Sequence, residues 1–96
     1  MGTTKASLIT KLKKKFPSIY IIANANGWVT DTKSSFVLSA EHNSLDSKGY
    51  DLLNYWVENY EHFDFGVSIE LVNFLQQHGW YPEWINPGVC GIFQDK

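Results

Sequence analysis

Val67-Ser68-Ile69-Glu70-Leu71-Val72-Asn73-Phe74-Leu75-Gln76-Gln77-His78-Gly79-Trp80-Tyr81-Pro82-Glu83-Trp84-Ile85 changes its hydrophobic period once, at Gly79, and that change decides the fold class. Before the glycine, Val67, Leu71, Phe74, Leu75 and His78 stand at i, i+4, i+7, i+8 and i+11, with Glu70, Asn73, Gln76 and Gln77 between them. That spacing predicts a helix over 67–78 with one apolar face. Gly79 suits the left-handed position that closes a helix. Beyond it, Trp80 to Ile85 and Val89 to Gln94 read as two strands joined by Asn86-Pro87-Gly88, whose residue types favour a turn. Pro82 has no amide hydrogen to give to a ladder, which places the first of these strands at a sheet edge.

Working back from that stretch, Thr4 to Phe16 carries Leu8, Ile9, Leu12 and Phe16 along one helical face. Thr3 or Thr4 can cap its start, Lys13 to Lys15 suit the negative end of its dipole, and Pro17 ends it. Ile19 to Ala23 is rich in β-branched and aromatic residues, hence a strand. It runs into Asn26-Gly27, the pair that accepts a type I′ turn, and on to Trp28-Val29-Thr30. Phe36 to Ser39 would complete a three-strand meander. Residues 41–49 are polar and end in Gly49, a surface connection. Leu52, Leu53, Trp56, Val57 and Tyr60 fit helical spacing better than alternation, so a helix is expected over 50–60, broken by Glu61 to Gly66.

The expected architecture is therefore α+β, in the order α-β-β-β-α-α-β-β: a small antiparallel sheet, made of the meander and the C-terminal hairpin, with helices on one face. The first five elements follow the order of a double-stranded-RNA-binding domain. However, 67–78 has no lysine to match that family's basic second helix. The helix-then-hairpin ending also resembles small messenger-RNA-cleaving toxins, but their strand histidine has no counterpart after Gly79. Neither family is assigned.

Composition bounds the rest. Ninety-six residues at 44% hydrophobic and 19% charged make one domain, 1–96, with a real core and exclude a disordered tail. The lone Cys90 permits no internal disulfide, which favours a reducing, cytoplasmic setting. The longest apolar run, Ile19 to Ala23, is far short of a membrane span, and the N-terminus has no signal-peptide pattern.

Charge is split along the chain. Residues 1–40 hold six lysines against Asp31, a balance of +5; residues 41–96 hold nine acids against two lysines, a balance of −7. Arginine is absent, which disfavours nucleic acid as a partner because lysine lacks the planar fork that grips phosphate and guanine.

Candidate chemistry is sparse. Glu58, Glu61, His62 and Asp64 are the densest titratable group, yet they hold a single histidine and match no ligand motif, so no metal is expected. Cys90 lies within a strand and reads as a small buried hydrophobe. His78 sits on an apolar helix face, as a packed residue. Phosphate-cradling glycine loops and the G-x-S-x-G elbow are absent, so no cofactor and no enzymatic activity are expected. The informative surplus is aromatic, at 16% of the chain. Trp80, Tyr81 and Trp84 fall on the expected edge strand, with Trp80 and Trp84 on one side. Together with Glu58, Glu61 and Asp64 they are the expected interaction residues, suited to a protein partner or to a homodimer formed through the edge. The expectation is a non-enzymatic interaction, regulatory or inhibitor module with an acidic second half. The alternative is a nucleic-acid-binding domain that grips phosphates with Lys11, Lys13, Lys14 and Lys15 of the N-terminal helix.

Overall fold

A computed structural model describes residues 3–22, 35–42, 44–57 and 61–95. Its elements are helix α1 (Lys5–Lys15), strands β1 (Ile21–Ile22), β2 (Ser35–Ser39), β3 (Phe63–Asp64) and β4 (Val67–Ser68), helix α2 (Ile69–Gln77), and strands β5 (Trp80–Asn86) and β6 (Val89–Gln94). The Thr4 hydroxyl accepts the Ser7 amide at 3.3 Å to cap α1, and Pro17 follows the residue that caps its other end, Phe16. Gly79 closes α2 with φ +79°, as its position in the sequence predicts.

Four strands form one antiparallel sheet in the order β1-β2-β6-β5, and β3 and β4 make a separate short ribbon. The last strand in sequence thus lies inside the sheet, and β5 lies at its edge. Side chains alternate across the sheet. Phe36, Leu38, Trp80, Cys90 and Ile92 face both helices and pack with Leu8, Leu12, Phe16, Leu71 and Leu75. Val37 and Val89 form a smaller cluster with Ile22 on the opposite face. Both helices therefore cover one face of the sheet, which is the α+β arrangement expected from the pattern.

Three local expectations change. Ile21 pairs with Leu38 and Ile22 with Val37, so the first and third strands of the expected meander are direct neighbours. The β-branched pair Ile22 and Val37 joins them on the second face. The Asn26-Gly27 turn and the 28–30 stretch lie outside the described residues.

Residues 50–57 are not helical but carry turns and isolated bridges, Leu45 to Asp51 and Leu53 to Val67. Their backbone bonds go to distant chain instead. The Leu52 amide donates to the Ser44 carbonyl, the Asn54 amide to Gly66, and the Ser68 amide to Leu52. Those bonds bury Leu52 and Leu53 without a helix. The second helix starts two residues later than the periodicity suggests, because Val67 and Ser68 pair with Asp64 and Phe63.

The N-terminus is tied to the corner between α2 and β5. The Thr3 amide donates to the His78 carbonyl at 2.9 Å, and the Thr3 hydroxyl shares a hydrogen bond with His78 Nδ1 at 2.9 Å. The Trp80 indole N–H donates to the Thr3 carbonyl at 2.7 Å. Trp80, one of the expected interaction residues, is 1% exposed and packs against Phe36, so it belongs to the core and not to an interaction surface. Its indole hydrogen has a partner there, which is what a buried tryptophan requires.

Candidate interaction surface

Among the described residues β5 pairs with no further strand, and its open edge organises an aromatic surface. The Asp95 amide donates to the Gly79 carbonyl, and the Ala40 amide to Gly88, which fixes the parity of both ladders through β6. Antiparallel pairs alternate between bonded and non-bonded. Tyr81 and Glu83 therefore bond to β6, and the backbones of Trp80, Pro82 and Trp84 point to the open edge. Pro82 removes one donor from the middle of that row.

Trp84 leans from this edge toward the β3–β4 ribbon, and its indole N–H donates to the Phe65 carbonyl at 2.7 Å. Phe65 and Gly66 form the two-residue loop between Phe63-Asp64 and Val67-Ser68, and both have positive φ, 49° and 79°. This is the backbone of a type I′ turn, which matches the twist of a hairpin. Gly66 is suited to it. Phe65 is not, and holding a phenylalanine there costs about 1–3 kcal/mol. Glycine is also required at 66 for space, since an added Cβ would lie 2.6 Å from the Asn54 carbonyl oxygen.

The strained turn leaves the Phe65 ring 70% exposed. Tyr55 stands edge-on to Trp84 at 5.3 Å and to Trp56 at 5.2 Å, and Trp56 is 78% exposed. Tyr55, Trp56, Phe65 and Trp84 thus form a linked aromatic group drawn from three separate segments. Tyr55, Trp56 and Phe65 are exposed, whereas Trp84 is half-buried and also packs against the main core; exposed aromatics gathered in this way are common at docking faces. Asp64 and Glu83 are exposed beside the same turn and strand. Tyr81 takes the other side of β5 against Phe93, yet it also lines a cleft of about 240 Å³ with Phe65, Pro82 and Trp84.

Two further depressions adjoin other parts of the chain. A cavity of about 410 Å³ has Tyr55 and Trp56 on one side and Ser39, Glu41, Asp51 and Gly88 among its other walls. A groove of about 450 Å³ between the helices is lined by Lys11, Lys14 and Lys15 with Phe74 and His78. Lys13 is exposed on the same helix but does not line the groove. Lys15 is committed in part to Glu70, at 3.2 Å. Partial burial works against ionisation of Glu70, but the Ser47 hydroxyl and amide and the neighbouring Lys15 outweigh it, holding the carboxyl below its ordinary value.

The other candidates separate. Glu61 lines a different depression, with Asp46, Lys48, His62 and Glu70, and Tyr50 stacks on His62 at 3.9 Å. Asp46 accepts from the Lys48 and Tyr50 amides and from the Ser68 hydroxyl, a turn-stabilising role. Glu58 lies outside the described residues. Among the described residues, no three His, Cys, Asp or Glu side chains come close enough together to hold a metal ion. Cys90 is fully buried, and desolvation pushes its thiol up to about 12. His42 stacks on Tyr20 at 3.8 Å and meets the Ser39 hydroxyl at 2.8 Å, a local contact three residues apart that shapes the turn after β2. No helix among the described residues is long and apolar enough to cross a membrane.

Of the aromatics at this face the sequence singles out Trp84 and Tyr81, and it gives no such sign for Tyr55, Trp56 and Phe65. The one local signal was Phe65-Gly66 lying between two short apolar-polar pairs. No family model matches the chain, and comparisons with curated proteins and with solved structures also return no match.

Proposed function

We propose that the protein is a non-enzymatic interaction module, a regulator or inhibitor, that docks a basic protein partner on the face made by Tyr55, Trp56, Phe65 and Trp84. The observation that carries this reading is the strained Phe65 turn. A positive φ at an exposed phenylalanine lowers stability and contributes nothing to the core, so its use is to hold that ring outward. The acids Asp51, Asp64 and Glu83 around the patch suit a cationic partner and would speed encounter at low salt. Pro82 weakens backbone pairing at the open edge, so side chains rather than strand addition carry the contact. A reducing cytoplasm is the setting that the single buried Cys90 suits.

The test is affinity capture from the native host in parallel with the wild type, Trp56→Ser and Phe65→Ser. The expected result is one basic protein retained by the wild type, released by salt, and lost by both variants at unchanged melting temperature. Retention of the same proteins by all three chains would refute the docking face.

A second reading rests on the groove between the helices, where three lysines surround Phe74 and His78. Lysines beside a stacking surface suit a single-stranded nucleic acid. Heparin retention at low salt, abolished by Lys11→Glu with Lys14→Glu, would favour it over the acidic docking face.

A further inference from the structure

We infer that the cavity of about 410 Å³ beside Trp56 receives a lysine or arginine side chain of the partner protein, an inference that rests on the docking face proposed above. Its walls come from three segments, 39–44, 51–56 and 87–88, held together by the sheet and its bridges. Ser39 ends β2 and Ala40 follows it, with the Ala40 amide bonded to the Gly88 carbonyl at 2.9 Å. The Leu52 amide bonds to the carbonyl of Ser44, a wall residue, also at 2.9 Å, and Asn54 is fixed by Gly66. The volume suits one long side chain rather than a cofactor, and Tyr55 and Trp56 connect its mouth directly to the aromatic patch.

The chemistry of the lining selects the charge. Glu41 and Asp51 both contribute to the walls, and among the described residues neither is ion-paired; the one salt bridge joins Lys15 to Glu70 elsewhere. Asp51 Oδ2 accepts a long bond from the Asn54 amide group, at 3.4 Å, and among the described residues its Oδ1 has no side-chain cation beside it. The Glu41 carboxyl lies against Gly88, where an added Cβ would meet Cδ at 3.2 Å. Two carboxylates with no ion pair among the described residues, walled by a tyrosine and a tryptophan, are complementary to an ammonium or guanidinium group. The acids supply charge-assisted hydrogen bonds, and the rings supply an electron-rich face within reach of the cation. A neutral or anionic side chain would leave both carboxylates without a counter-charge.

The test uses the full chain and three short peptides, acetyl-Gly-Lys-Gly-amide, its arginine analogue, and the same peptide with acetylated lysine. Amide and indole N–H shifts in ¹⁵N spectra are followed as each is added. The lysine and arginine peptides are expected to shift the Gly88 amide and the Trp56 indole saturably, with dissociation constants on the order of millimolar, as befits one cation contact. Acetylated lysine should produce no saturable shift. Glu41→Gln and Asp51→Asn should each weaken binding by about tenfold at unchanged melting temperature, in keeping with the loss of one charge-assisted bond. Equal binding of the acetylated peptide, or unaltered affinity in both variants, would overturn the assignment. The two proposals fail separately: a captured partner that depends on Trp56 but is indifferent to both acid variants removes the cation pocket and leaves the docking face. Peptide binding without any Trp56-dependent partner removes the docking face instead, and with it the partner side chain as occupant.

Discussion

Replacing Trp80 with phenylalanine tests whether the clasp at the N-terminus holds the fold together. The substitution keeps a ring beside Phe36 but deletes the indole N–H that reaches the Thr3 carbonyl at 2.7 Å. Orphaning that carbonyl costs about 1–3 kcal/mol. The smaller ring also leaves a void in a site that is 1% exposed, and at roughly 24 cal/mol per Å³ a gap of a few tens of Å³ adds on the order of 1 kcal/mol. The sum is about 2–4 kcal/mol. For a chain of this size, each kcal/mol lowers the melting temperature by roughly 4–8 °C. A fall of about 8–32 °C is therefore expected, read by circular dichroism and by urea titration with an unchanged slope. Trp56→Phe is the control, since Trp56 is 78% exposed and its replacement should stay within about 0.5 kcal/mol. If Trp80→Phe destabilises no more than Trp56→Phe, the account of Trp80 as a core and clasp residue is wrong.

Other outcomes follow from single features. Gly66→Ala should destabilise by about 2 kcal/mol or more in thermal melts, because φ is +79° and the new methyl would meet the rigid Asn54 carbonyl. Gly91→Ala should cost less, because its nearest neighbour is the tip of the Phe93 ring, which can move. The Cys90 thiol should react with a disulfide reagent only at the rate of unfolding, and removing the denaturant should restore protection. Its raised value also sets a sign: the stability it confers is complete below the ordinary thiol value of 9.0 and is lost as pH climbs toward about 12. Glu70 acts in the opposite direction, its stabilisation being present at neutral pH and lost as pH falls through its lowered value. The Lys15 and Glu70 pair should show a coupling under about 1 kcal/mol in a double-mutant cycle, shrinking with salt.

How far the fold could be read from sequence depended on where each segment's hydrogen bonds go. The helix ending at Gly79 and the hairpin at Asn86-Pro87-Gly88 are local, and residue type alone places them; Asn86 Oδ1 even accepts the Gly88 amide at 2.8 Å. The 50–57 segment misleads because Leu52, Leu53 and Trp56 mimic a helical face while their backbone is bonded to Ser44, Gly66 and Ser68. Trp80 and Trp84 share one side of β5, as alternation requires, yet only Trp80 lies near residue 3. That difference is tertiary, and it puts one tryptophan inside the core and leaves the other half-buried at its margin. The aromatic group was illegible for the same reason, since Tyr55, Phe65 and Trp84 meet only after the ribbon and the sheet edge come together.

The position of β6 has a consequence for how the chain is made. It bonds to β2 on one side and β5 on the other, so the sheet is in two pieces until residue 94 is free to pair. At translation speeds of roughly 5–20 residues per second, the helix bearing Leu8, Leu12 and Phe16 waits several seconds for the strand that completes its binding face. During that interval its apolar stripe is open to chaperones or to other nascent chains. Folding is therefore deferred until after β6 has been synthesised, and a ribosome stalled before Val89 would display an adhesive helix rather than a partly built domain.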